Sequence, residues 1–228
     1  MSLRDLIRVG PHWRVLIRPV EYREDRIGYS DLAGIEECVV SLRGWPYPFV
    51  RSDRVTRLQR AVECELDSLD HRETWRFQQS GQFVHFFGIR EDGWSAEPFA
   101  KSTFGDAQSG EALSIDSTIF SFTEIFLFAA RLSERFKLGP QVRIELELTG
   151  LKGRQLRRFS KDYAPFTFPP TASVNNYLVE AELSTSDLLT SAEALARREL
   201  HELWARFGWK QSDEQMRDTQ RRLIEQRW

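Results

Sequence analysis

The amino-acid sequence predicts an α+β protein in which a mainly antiparallel or mixed β-sheet packs on a long buried helix, followed by a C-terminal helical pair. Three observations indicate this fold. Apolar and polar residues alternate in segments grouped as hairpins, an apolar segment of helical period covers residues 117–136, and two capping signals precede the last helices. Residues 1–209 are expected to form a single α+β domain and residues 210–228 a C-terminal helical arm.

The composition is that of a globular protein without a strong electrostatic signal. The chain has 228 residues and a net charge of −2, so no global field attracts nucleic acid or a membrane. Arginine outnumbers lysine 27 to 5, which reflects either genomic base composition or a use of planar, bidentate contacts with anions. Cys38 and Cys64 lie in apolar contexts, so we expect buried thiols in a protein of the reducing cytoplasm with no membrane partner.

The N-terminal part of the chain is predicted to alternate short helices with strands. Ser2 caps a helix that runs through residue 9. Residues 13–18 alternate apolar and charged side chains as a half-buried strand does, and Pro19 ends that strand because proline cannot donate to a ladder. A short helix over residues 30–38 and a second strand over residues 39–42 are expected to follow.

The clearest β-hairpin signal lies in the middle of the chain. Residues 74–78 and 83–90 flank a turn in which Gly81 supplies the positive φ that a tight connection needs. Residues 55–69 fit both a helical and a strand period, and the hairpin that follows directly favours the strand.

The second half is predicted to contain the longest helix and three further strands. Residues 91–116 are polar, glycine-rich and without periodicity, so we expect a long loop. Ser117 caps the apolar helix over residues 117–136. Residues 142–148 form a strand, residues 154–159 are expected to return as its partner, and residues 177–183 alternate again.

The C-terminal region is predicted to be helical. Thr190 and Glu193 form a capping box before one helix, and Ser212 and Gln215 form another before residues 216–228. The last helix is polar nearly all round, which indicates a docking arm for another chain rather than part of the core.

Familiar catalytic and cofactor motifs are missing from the sequence. It contains neither a P-loop nor a dinucleotide fingerprint. Residues 93–97 begin like a nucleophile elbow but lack its second glycine. His201 and Glu202 begin like a zinc-protease motif, but Ala205 stands where the second histidine belongs. The four histidines have no ligand spacing, so we expect no metal, no cofactor and no catalytic residue.

Three groups of residues remain as candidates for chemistry or binding. The first is a set of acids that alternate along strands and would either hold Mg²⁺ or Mn²⁺ or form a solvated face that alternates with arginine. Its members are Glu63, Glu65, Asp67, Glu145, Glu147, Glu180 and Glu182.

The second group interleaves aromatic rings with arginine, a pattern that stacks bases and holds phosphate or simply packs a core. Arg43 and Trp45 represent it in one turn, and Trp75, Arg76, Phe77, Phe83, His85 and Phe86 in the hairpin. Trp75 and Phe77 share a strand face and are expected in the core, where His85 is expected as a satisfied buried histidine.

The third group is a basic cluster without an acid among its members, on the hairpin that is expected after residue 150. It consists of Lys152, Arg154, Arg157, Arg158 and Lys161. A hairpin tip of this composition is a phosphate grip, a solvated basic loop or a contact for an acidic partner protein.

Three functional hypotheses follow from these groups. In the first, the protein is a non-catalytic binding or assembly protein whose partner is another protein chain or a second copy of this chain; the docking residues are Met216, Leu223, Ile224 and Trp228. In the second, it binds nucleic acid or a phosphate ligand through the basic cluster, Arg43 and Trp45. In the third, it is a metal-dependent nuclease or hydrolase built from Glu145, Glu147 and Glu180. The first hypothesis depends on the expectation that the polar and charged side chains pack the sheet or face solvent, so that neither two acids nor an acid and a histidine converge around one enclosed cavity.

Overall fold

The computed structural model describes residues 1–68, 71–93, 108–158 and 166–225. It confirms the predicted α+β class. Seven strands form one antiparallel sheet, and two short strands form a separate parallel pair. The strands are β1 (His12–Pro19), β2 (Val55–Arg57), β3 (Ala61–Asp67), β4 (Arg72–Gln78), β5 (Phe83–Gly88), β6 (Ala112–Ser114), β7 (Gln141–Leu148), β8 (Gln155–Arg157) and β9 (Tyr177–Ser184).

The large sheet has the order β2-β3-β4-β5-β1-β7-β9, so β1, the first strand in the chain, lies near its centre between β5 and β7. The helices are α1 (Leu3–Val9), α2 (Arg90–Gly93), α3 (Ile115–Arg135), α4 (Thr185–Ala205) and α5 (Asp213–Glu225), with 3₁₀ helices at Tyr29–Cys38 and Ser52–Arg54.

One face of the sheet packs on α3 to form the core. Alternation along β1 puts Val15 and Ile17 on this face, where both are fully buried. Aromatic contacts join the sheet to the helix: the ring of Phe83 lies 4.7 Å from that of Phe128, and the ring of Trp13 lies 5.6 Å from that of Phe122. The apolar segment over residues 117–136 is therefore the buried helix that the sequence predicts.

The opposite face of the sheet is lined by pairs of acids and arginines from neighbouring strands. Arg14 of β1 donates to Glu147 of β7 at 3.1 Å, and Arg143 of β7 lies 2.8 Å from Glu182 of β9. These pairs form the alternation of acid and arginine between neighbouring strands that the sequence pattern predicts. Helix α1, with its predicted Ser2 cap, covers the β4–β5 part of this face.

Several predicted elements differ from the observed ones between residues 39 and 159. Residues 39–42 form only an isolated bridge, between Val40 and Tyr47. Of the expected loop over residues 91–116, residues 94–107 lie outside the described residues. The described ends of this span contain most of α2, strand β6 and the start of α3, which is capped by Ser114 rather than Ser117. Residues 155–157 pair in parallel with β6, so the expected antiparallel partner of β7 is wrong; β9 takes that place.

Helices α4 and α5 pack beside α3 at the C-terminal side of the fold. Helix α4 begins at Thr185 with a Ser184 cap, five residues before the predicted capping box, and Ser191 interrupts its helical dihedrals. The Oγ of Ser212 accepts a hydrogen bond from the backbone N of Gln215 at 3.2 Å. The Ser212 half of the second capping box is therefore confirmed. Among the described residues, no helix is long and apolar enough to span a bilayer.

Candidate functional site

A cavity of about 250 Å³ lies where one end of the sheet meets the N-terminal half of α3 and the turn around Arg43. Strands β1 and β5 contribute aromatic walls, α2 contributes charged residues, and α3 contributes hydroxyl groups. The cavity is lined by Trp13, Arg43, Gly44, Trp45, His71, Phe87, Gly88, Arg90, Glu91, Leu113, Ser117, Thr118 and Ser121.

Arg43 is held in the cavity wall by a buried carboxylate of α3. Its Nε and Nη2 donate to Glu124 at 3.2 and 2.7 Å, and Nη2 also donates to the Oγ of Ser121 at 3.3 Å. Burial raises the pKa of Glu124, while the positive charges of Arg43 and Arg90 oppose that rise. The guanidinium groups of Arg43 and Arg90 therefore lie close to this carboxylate at the cavity, and Glu91 lies in the same wall.

His71 lies in the cavity wall in front of a buried row of interacting polar side chains, Glu73, His85 and Tyr47. Its Nε2 lies 3.2 Å from Oε1 of Glu73, which is within ion-pair distance, although the angles of this contact are poor for a hydrogen bond. The other oxygen of Glu73 accepts from Nε2 of His85 at 2.8 Å and from the backbone N of Phe49 at 3.4 Å. Nδ1 of His85 lies 3.3 Å from the hydroxyl of Tyr47.

These contacts fix the protonation of the buried row of side chains. Burial by itself raises the pKa of Glu73, but the contacts with His71 and His85 outweigh it and lower that pKa to about 2. Burial lowers the pKa of His85, because a charged imidazole is poorly solvated there. His85 is therefore neutral at pH 7; its Nε2–H donates to Glu73, and its Nδ1 accepts from Tyr47, whose pKa burial raises well above its ordinary value.

Glu91 and the start of α3 form the wall nearest α2. Oε1 of Glu91 accepts from the backbone N of Ser114, the N-cap of α3, at 2.7 Å. Burial raises the pKa of Glu91, an effect that this hydrogen bond and the charge of Arg154 reduce. Thr118 donates its hydroxyl to the Ser114 carbonyl at 2.6 Å, so its oxygen still presents lone pairs to the cavity.

The aromatic walls give the cavity a flat apolar side. Trp13 stacks on Phe87 with ring centroids 5.6 Å apart and nearly parallel planes. Trp45 is 39% exposed, and its ring lies edge-on to His71 at 5.6 Å. Arginine, hydroxyl and aromatic groups around one hollow are suited to hold a molecule with an anionic group and a planar body.

The expectation that no acid and histidine converge around a cavity is wrong. His71 lines the cavity, Glu73 backs it, and Glu91 lies in the same wall. Of the residues proposed for ligand binding, Arg43 and Trp45 lie here. In the part of the chain that the structure describes, histidines, cysteines and acids form no group of three that would hold a metal ion.

The basic cluster does not form an exposed hairpin tip. Arg154 is fully buried; its Nη2 lies 2.6 Å from Asp92, and its Nε donates to the carbonyl of Gly150 at 2.7 Å. Lys152 is exposed, and Arg157 and Arg158 are half-buried. Lys161 lies outside the described residues. Arg154 is therefore not available to the phosphate site that these five residues were hypothesised to form, because its guanidinium binds groups inside the fold.

The other predicted site residues lie away from the cavity. Met216 and Leu223 are buried within this chain, and Ile224 is half-buried. Trp228 lies outside the described residues. Glu145 and Glu147 contact Arg14, and Glu180 is exposed opposite Glu145 in the sheet register.

Several residues of the site are missing from the sequence-based candidates, although two carry a readable signal. Glu73 occupies the strand face that Trp75 and Phe77 fill with apolar rings, and an acid at a core-facing strand position is unusual. Glu124 likewise lies in the apolar segment of α3, on one helical face with Ser117 and Ser121. His71, Arg90 and Glu91 follow no pattern of their own.

Comparisons with protein-family models, curated proteins and solved structures find no match for this chain. By its fold, it is an α+β protein with a seven-stranded antiparallel sheet and helices on the core face.

Proposed function

We propose that the protein binds a small molecule that carries a phosphate or carboxylate group and a flat apolar body. The observation that carries this proposal is Arg43, which Glu124 and Ser121 hold in the wall of a cavity that Arg90 also lines. Guanidinium groups donate charge-assisted, often bidentate hydrogen bonds to phosphate and carboxylate groups.

Arg43 is preorganised for this role. Its contacts with Glu124 and Ser121 use Nε and Nη2, so Nη1 takes no part in them. A guanidinium that is already fixed loses little conformational entropy when an anion binds. The hydroxyls of Ser117 and Thr118 line the same cavity and are suited to complete the contacts of the anion.

The shape of the cavity favours a small ligand rather than a polymer. Its volume of about 250 Å³ is close to the lower end of small-molecule sites. Trp13 and Phe87 form one stacked wall, and Trp45 lies beside His71. These rings are suited to receive the planar part of a ligand and to report its arrival through tryptophan fluorescence.

The proposal is tested by titrating the protein with phenyl phosphate and benzoate and following tryptophan fluorescence. Phenol and inorganic phosphate are the matched probes that lack one half of the ligand, and both are expected to bind more weakly. The stronger of the two anionic probes identifies the anionic group. Absence of saturable binding by both would contradict the proposal.

The decisive variant is Arg43→Gln combined with Glu124→Gln, since the single change R43Q would remove the guanidinium that hydrogen-bonds to the buried Glu124 carboxylate. The double variant is expected to bind the better probe about 10-fold or more weakly, because charge-assisted hydrogen bonds are lost. Arg143→Gln is the control, since Arg143 pairs with Glu182 on the opposite face of the sheet. Equal affinity in wild type and R43Q/E124Q would argue against the proposal.

A further inference from the structure

We infer that His71 is the general base of the cavity, with Glu73 as its positioning residue, so that the site acts chemically on the molecule it binds. This inference rests on the proposed function, because the bound molecule is the one that the arginines hold. It adds a proton-transfer group to a binding site.

The position of His71 carries the argument. Its side chain is 20% exposed, whereas that of Glu73 behind it is 4% exposed, so the imidazole separates a buried carboxylate from the cavity. The backbone is fixed as well, since both the N and the Oγ of Ser68 donate to the His71 carbonyl, at 3.0 and 2.8 Å. A catalytic histidine needs such an orientation by a carboxylate.

The contact with Glu73 assigns roles to the two ring nitrogens. Nε2 lies 3.2 Å from the carboxylate oxygen of Glu73, so in the neutral ring we assign the proton to this nitrogen. In the neutral ring, Nδ1 is then the nitrogen with the free electron pair, which accepts a proton. Glu73 stays charged because His85 and the backbone N of Phe49 also donate to it.

His71 also lies in the wall between two cavities. A second cavity of about 280 Å³ shares His71 and Gly88 with the first. Water or a second part of the ligand therefore has space on either side of the imidazole. Among the described residues, the charged and titratable groups around His71 are Glu73, His85, Arg43, Arg90 and Glu91 on one side and Arg72 and Asp92 on the other.

The chemistry that these residues support is hydrolysis assisted by a general base. Nδ1 takes a proton from a water molecule while the water oxygen forms a bond to the carbonyl carbon of an ester. The bond from that carbon to the leaving oxygen then breaks, and the imidazolium returns the proton to the leaving group. The sum is one ester and one water converted to one acid and one alcohol.

The test uses 4-nitrophenyl acetate as the ester probe and the release of 4-nitrophenolate as the readout. His71→Gln is expected to lower kcat/KM by about 100-fold. The matched control is His201→Gln, because His201 is a half-exposed histidine that lies 3.8 Å from a half-exposed acid, Asp213, away from the cavity. A rate that His71→Gln leaves at the wild-type value would overturn the inference.

Glu73→Gln tests the positioning role. The kcat is expected to fall about 10-fold while KM stays close to the wild-type value, because the imidazole is no longer held in one orientation, and Glu73→Asp is expected to restore part of this loss. A residue with a merely structural role would not be rescued by the conservative variant, so a loss in Glu73→Gln that Glu73→Asp does not restore would overturn the role of Glu73.

A measurement on the wild-type protein avoids any loss of folding in the variants. Diethyl pyrocarbonate modification, mapped by mass spectrometry, is expected to reach His71 and to abolish ester hydrolysis in parallel; activity that survives full modification of His71 would contradict the inference. Phenyl phosphate is expected to slow both the modification of His71 and the hydrolysis of the ester. If hydrolysis depends on His71 but phenyl phosphate has no effect, the inference stands and the proposed anion site fails. If phenyl phosphate binds but hydrolysis does not depend on His71, the proposed anion site stands and the inference about His71 fails.

Discussion

At the scale of single residues, the buried carboxylate of Glu73 makes the stability of the fold depend on pH. The pKa of Glu73 lies at about 2, below the ordinary glutamate value of 4.5. A lowered pKa in the folded state stabilises the protein above the ordinary value, and this contribution is lost as the pH falls through the folded value. We therefore expect the difference in unfolding free energy between wild type and Glu73→Gln to be largest above pH 4.5 and to shrink towards pH 2.

The measurement is urea unfolding of both proteins across this pH range, which isolates Glu73 from other groups. That isolation is needed because burial raises the pKa of Glu91 and Glu124, and raised values give the opposite slope. Glu63→Gln is the control, since Glu63 pairs with an exposed arginine, Arg76, on the outer face. A difference that does not change with pH would contradict the assigned charge of Glu73.

The candidate site was predictable only at the residues whose local pattern is unusual. Arg43 and Trp45 stand out because a basic and an aromatic side chain share a turn rich in glycine and proline. His71 does not, since its role comes from Glu73 and from the end of β5, which reach it only through sheet pairing. Arg154 is an error in the other direction, since the sequence pattern suggested a binding residue where the fold has a buried one. A basic cluster in the sequence indicates an exposed surface, yet Asp92, 62 residues away, pairs with Arg154 inside the fold.

At the scale of elements, the β4–β5 hairpin depends on Gly81. Its φ is +85°, which other residues adopt at a cost, and an added Cβ would lie 2.8 Å from Cδ2 of Leu138 and 3.1 Å from Cγ of Pro19. Gly153 has nearly the same φ, +86°, but open space around it. Gly153→Ala is therefore expected to lower the unfolding free energy by about 1 to 2 kcal/mol through backbone strain alone.

Gly81→Ala is expected to lower the unfolding free energy by about 1 to 3 kcal/mol more than Gly153→Ala, because the new methyl group must displace packed side chains. Urea denaturation of the two variants separates the backbone effect, which they share, from the packing effect, which they do not. Equal losses in the two variants would mean that Leu138 and Pro19 move aside without resistance.

Elements with a long periodic pattern were the predictable ones. Strands β1, β7 and β9 alternate over eight residues each, so their positions follow from the sequence within one or two residues. Strands β6 and β8 have three residues each, too few for a period to appear, and their parallel pairing is set by the tertiary fold. The capping signal at Thr190 falls where Ser191 interrupts α4, so it marks a real feature inside a longer helix.

At the scale of the whole molecule, the question is whether α5 belongs to the fold or is an arm for a partner. Its Gln220 is buried, and its Nε2 donates to Oγ1 of Thr123 at 2.9 Å and to the carbonyl of Glu193 at 3.1 Å. Nη1 of Arg197 donates to Oε1 of the same residue at 2.7 Å. One amide therefore joins the three helices α3, α4 and α5.

Gln220→Ala is expected to lower the unfolding free energy by about 1 to 3 kcal/mol, because it leaves the buried hydroxyl of Thr123 and the guanidinium of Arg197 without this partner. Arg221→Ala, next in sequence but exposed and paired with Asp218, is the control and is expected to change stability by less than about 0.5 kcal/mol. Thermal unfolding measures both. If α5 were a removable docking arm, Gln220→Ala would leave the melting temperature unchanged. Deletion of residues 212–228 would then alter the assembly of the protein but not the melting temperature of the remaining domain. Because Met216 and Leu223 are buried beside Gln220, we expect the deletion to lower the melting temperature of the whole domain.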